Sequence, residues 1–152
     1  MGLYFEDFET SGPITSAGRT ITEADVLAFA AMTGDRFELH TNEEYARTTK
    51  FGHRIAHGAL IFSVSIGLAT RTGILDDVLI ALAGVDKLRF VLPVFIGDTI
   101  HVVKRVVDSK ALSPTQGTVS FESRVLNQRG ELVLVYRDKL LVKRRVTPGG
   151  TA

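Results

Sequence analysis

From Ile55 to Thr70 the chain carries no Asp, Glu, Lys or Arg, and most of its residues are apolar. Its apolar side chains (Ile55, Ala59, Leu60, Ile61, Phe62, Val64, Ile66, Leu68, Ala69) fall on nearly every side of a helical wheel. A helix of that kind has no polar face to offer water and must be enclosed by other elements. Gly58 and Gly67 weaken its intrinsic helicity, so enclosure rather than propensity has to hold it. The pattern predicts one helix from Ile55 to about Thr72, and the downstream residues supply an enclosure. Ile80–Val85 and Lys87–Val91 read as strand with a bulge or bend near Gly84. Gly97-Asp98 turns into a strand over Thr99–Asp108, and Ser109–Gln116, with Pro114, makes a hairpin loop. Thr118–Leu126 alternates, with Val119, Phe121, Ser123 and Val125 on one face, and Leu132–Lys143 is a long last strand. Antiparallel strands with a half-polar face after one apolar helix predict an α+β domain, a curved sheet wrapped around that helix.

The N-terminal third carries two capping signals. Thr22-Glu23-Ala24-Asp25 opens a helix that Gly34 can close in the left-handed conformation. Thr41-Asn42-Glu43-Glu44 opens a second, short one with Thr41 as its cap. Asp35 to His40 is then a loop pinned at both ends, holding a carboxylate and an imidazole at fixed relative positions. Such a pair beside the open amide end of a buried helix suits proton transfer on a carbonyl compound. His40 also precedes a helix N-terminus, whose partial positive charge would keep the ring neutral. By itself Asp35 is equally well a turn residue at a helix end; His40 and the following Ile55-Ala56-His57-Gly58 favour the chemical reading. His57 reads first as a structural residue of that turn, His53 as a loop residue, and His101 as a surface or interface residue on a strand.

With 18 Lys and Arg against 17 Asp and Glu, and no basic cluster interleaved with aromatics, the chain is not expected to bind nucleic acid. There is no cysteine, which excludes disulfides, thiolate metal sites and a cysteine nucleophile. The start has no signal-peptide pattern and the longest uncharged segment falls short of a membrane span, so a cytoplasmic protein is expected. Residues 1–146 read as one domain and 147–152 as a disordered tail.

The order of these motifs resembles the MaoC-like, (R)-specific enoyl-CoA hydratases, which have the hot-dog fold. Thr20-Ile21-Thr22-Glu23-Ala24-Asp25, Gly34-Asp35 with Leu39-His40, Ile55-Ala56-His57-Gly58 and Phe90-Val91-Leu92-Pro93-Val94-Phe95-Ile96-Gly97-Asp98-Thr99-Ile100 carry the resemblance. One departure is clear: Phe37-Glu38 stands where the family has Asn-Pro, so a stiff, tethered loop is not encoded here. The resemblance implies water addition to a trans-2-enoyl-CoA, or the reverse dehydration. Asp35 and His40 would be the catalytic pair and His57 a supporting residue. The Gly58 amide would be the oxyanion donor, its lack of a side chain permitting close approach. Phe51, Phe62, Ile66 and Arg54 are candidates for the substrate, with Arg54, Lys87, Arg89 and Arg105 for its phosphates. No metal or separate cofactor is implied, since coenzyme A is part of the substrate. An exposed sheet edge and family practice predict a homodimer or a higher oligomer of dimers. An acyl-CoA thioesterase on the same fold is the first alternative, though Ile55–Leu75 lacks the carboxylate such enzymes commonly place there. A catalytically silent acyl-CoA-binding protein is the second.

Overall fold

Two short elements, helix α1 (Phe5–Phe8) and strand β1 (Ile14–Thr15), lead to β2 (Arg19–Thr20) and the capped helix α2 (Glu23–Thr33). The Thr22 side chain accepts the Asp25 amide and the Asp25 carboxylate accepts the Thr22 amide, so both halves of the capping box form. Gly34 closes α2 at φ 80°, a conformation that favours glycine. The computed structural model describes residues 2–145, so the expected tail lies outside the described residues.

The next segment is more helical than its sequence suggests. Residues Glu38–Thr41 form a one-turn helix, α3, and Asn42 rather than Thr41 caps the following α4 (Glu43–Arg47) by accepting the Tyr45 amide. His40 therefore rides on a turn of helix instead of a loop. The central helix α5 spans Gly58–Thr70, starting later than expected. Ile55 forms an antiparallel bridge with Phe95, and the Ala56 amide donates to the Val94 carbonyl at 2.8 Å, holding this stretch extended up to the cap residue His57.

Four long strands complete the fold: β3 (Leu79–Phe90), β4 (Thr99–Ala111), β5 (Gln116–Leu126) and β6 (Leu132–Lys143). With β1 they run antiparallel in the order β1-β4-β5-β6-β3, and β2 also pairs with β4. The expected irregularity near Gly84 is present as a register shift between Leu82 and Gly84; two others lie between Leu79 and Ala81 and between Asp86 and Arg89, where Lys87 takes φ 53°. One sheet face packs against α5: Leu60, Ile61, Val64 and Leu68 meet Ile100, Val102, Val125, Leu134 and Tyr136. This is the α+β hot-dog arrangement. Helix α5 is not enclosed on every side, because Ala59, Ser63, Gly67 and Thr70 form a stripe open to solvent. The stripe is small or polar, so its exposure leaves no large apolar residue in water. No helix among the described residues is long and apolar enough to cross a membrane.

A second apolar cluster packs Phe5 and Phe8 of α1 against Val119, Phe121, Leu140 and Val142. Within the sheet lies a buried polar group that the strand pattern did not announce. Lys104 Nζ donates to Asp138 Oδ2 at 2.5 Å and to Ser123 Oγ at 2.9 Å, and Ser123 donates to Asp138 Oδ1 at 2.6 Å. Burial pulls the Lys104 ammonium below its usual pKa, with the Asp138 charge opposing.

Candidate active site

Asp35, His40 and His57 come together from three places: the end of α2, helix α3 and the cap of α5. One nitrogen or oxygen from each lies within 4.8 Å of the others. The two imidazoles stack, with centroids 3.8 Å apart and planes inclined by 29°. His40 Nδ1 lies 2.8 Å from the Ile55 carbonyl. A carbonyl only accepts, so Nδ1 must hold the ring proton, which leaves Nε2 of the neutral ring as the acceptor. This bond exists because Ile55 is extended rather than helical. His57 Nε2 donates to the Asp35 carbonyl at 2.9 Å, tying the Asp35 turn to the start of α5. His57 is 2% exposed, and its Nδ1 has no hydrogen-bond partner.

Burial is the largest influence on His40 and lowers its pKa; the Ile55 bond opposes it, nearby His57 adds to the lowering, and Asp35 opposes. His40 lies in the last turn of α3, two residues before the cap of α4, and desolvation is the largest cause of its lowered pKa. At the family's Asn-Pro position, Phe37 packs edge-on against His40 and Tyr45, with centroids 6.1 and 5.9 Å away. The Phe37 amide donates to Asp35 Oδ1 at 3.3 Å, and Glu38 accepts from Asn42 Nδ2 at 3.0 Å, turning toward α4. Ring packing and a side-chain turn thus hold the loop without proline.

His40 opens on a cavity of about 710 Å³ whose walls include Phe51, Gly58, Phe90, Val94 and Val133, with Lys50 at its edge. The Gly58 amide, at the first position of α5, has no acceptor among the described residues, and no side chain caps this helix. It is therefore a donor open to a ligand oxygen. Beside this amide, the place of the missing Gly58 side chain is taken by Phe90. A Cβ there would lie 2.7 Å from Phe90 Cε1 and 2.8 Å from Cζ, so the phenyl ring fills that position.

The remaining candidates divide. Phe51 lines the cavity; Phe62 and Ile66 do not, and pack instead with the core around Tyr136. Arg54 binds Glu23 at 2.9 Å and Glu43 at 3.0 Å, bracing α2 and α4 rather than facing the cavity. Hydrogen bonds from His53 and Arg54 hold the Glu43 carboxyl down at about 2. Lys50, Phe90 and Val133 were missed as cavity residues; only Phe90 carried a signal, inside the Phe90–Ile100 motif.

Asp35, His40 and His57 are also ligand types that bind transition metals. Stacked imidazoles, however, send their in-plane lone pairs side by side instead of toward one point. The three fit a shared proton or water better than an ion.

A family model described as MaoC like domain matches residues 7–127. The chain is 36% identical over 121 residues to the (R)-specific enoyl-CoA hydratase of Rhodospirillum rubrum, covering 79% of this chain and 78% of that protein. It is 38% identical over 99 residues to protein MaoC of Klebsiella aerogenes, which takes in 65% of this chain but spans only 29% of that protein. Among solved structures, the monoamine oxidase regulatory protein from Archaeoglobus fulgius superposes with a TM-score of 0.88 at 38% identity, covering 95% of this chain and 96% of that one. The chain belongs to the MaoC-like dehydratase domain family.

Proposed function

We propose that this protein is a hydro-lyase that adds water reversibly to a trans-2-enoyl-CoA, giving the (R)-3-hydroxyacyl-CoA. The observation that carries the reading is the convergence of an imidazole with a free Nε2 and an unpaired helix amide at one apolar cavity, with the Asp35 carboxylate outside its lining but within 4.8 Å of that imidazole. The Gly58 amide receives the thioester oxygen, where negative charge develops as water attacks C3. Asp35 orients that water, His40 Nε2 takes its proton, and the pair returns a proton to C2. The reverse sequence eliminates water.

Hydration of crotonyl-CoA tests this directly. The wild type consumes the enoyl absorbance, and Asp35→Asn and His40→Ala each lose about 10²- to 10⁴-fold in turnover while keeping a wild-type circular dichroism spectrum. Unchanged rates in both variants overturn the mechanism. Release of free CoA without hydration identifies a thioesterase, and tight acyl-CoA binding without turnover identifies a silent binding protein.

A further inference from the structure

Phe90 ends β3 and is 56% exposed, yet its ring lies against the Cα of Gly58, where any other residue would carry its side chain. The ring occupies the same cavity as His40 and the α5 amide. A carbonyl oxygen hydrogen-bonded to that amide sits about 2.9 Å from its nitrogen. The nitrogen is one bond from the Cα that the ring covers, so the ring is a near neighbour of any carbonyl bound there. We propose that Phe90 is the specificity-determining residue of this site, excluding acyl chains branched at the carbon adjacent to the thioester carbonyl. The same ring would have to move to admit any side chain at position 58. The inference rests on the hydratase reading only in placing a thioester carbonyl at the Gly58 amide.

The test compares binding of butyryl-CoA and isobutyryl-CoA by calorimetry. Both are saturated and unreactive, and they hold the same number of carbons, differing in the branch. The wild type favours butyryl-CoA. Phe90→Ala shifts the ratio of dissociation constants toward isobutyryl-CoA by about tenfold or more, as one carbon does in a fitted apolar pocket. Phe90→Leu, which keeps an apolar side chain on the strand, shifts it less and in the same direction. Gly58→Ala weakens both ligands, and Gly58→Ala with Phe90→Ala regains butyryl-CoA binding to within about threefold of Phe90→Ala alone. An unchanged ratio in both Phe90 variants, or a harmless Gly58→Ala, overturns the proposal. Crotonyl-CoA turnover separates the two ideas. A shifted ratio without wild-type hydration removes the hydratase and leaves the role of Phe90, whereas hydration with an unshifted ratio removes that role alone. Failure to bind either thioester removes both.

Discussion

The imidazole of His40 is useful as a base only while unprotonated, and its surroundings favour that state. Burial holds its pKa below the ordinary 6.5, with His57 adding and Asp35 opposing. Under the proposed mechanism kcat/KM stays level as pH falls to 6.5 and declines only below it. Asp35→Asn removes the opposing charge and moves that acid limb to lower pH. The same shift enters stability: between the two values the unfolded chain binds a proton that the folded one does not. The contribution of His40 is thus complete above 6.5 and is lost as pH falls through the lowered value. A pH profile with its acid limb at or above 6.5 contradicts this. At this scale Asp35, His40 and Gly58 were legible, because their types and order are local. The stacking of His57 on His40, and of Phe90 on Gly58, joins residues far apart in the chain, and no spacing rule shows that.

Among the elements, β6 kept its expected bounds because apolar, β-prone residues directly after a turn define a strand locally. Helix α5 did not. Ile55 is as apolar as the residues after it, and only pairing with Phe95, far along the chain, draws it out of the helix. The polar group on β4, β5 and β6 was hidden for a related reason: Lys104 and Asp138 each look like an ordinary surface residue, and Ser123 shares a face with Val119, Phe121 and Val125 but shows no partner, until registration sets the three side by side. Lys104 and Asp138 are 2% and 1% exposed. Lys104→Met alone leaves a carboxylate buried without its partner and costs about 3–5 kcal/mol, whereas Lys104→Met with Asp138→Leu recovers most of that loss. Urea denaturation measures both, and a double variant no more stable than either single one refutes it.

For the whole molecule, the long strand β3 stands at the sheet edge beside β6, with no strand on its other side among the described residues. It exposes Leu79, Ile80 and Leu82, and Val91 and Leu92 continue the patch beyond Phe90. Edges of this length and character are normally covered. Pairing with a second copy is the expected solution. Sedimentation should give twice the chain mass, and Ile80→Lys with Leu82→Lys should give a folded monomer; a monomeric wild type overturns this. At the start of α5 the balance is of another kind. By leaving the Gly58 hydrogen without an internal acceptor, the resting fold keeps a small electrostatic deficit in its most apolar helix. An incoming oxygen meets an aligned dipole that need break no internal bond first, so stabilisation forgone during folding is recovered when charge gathers there.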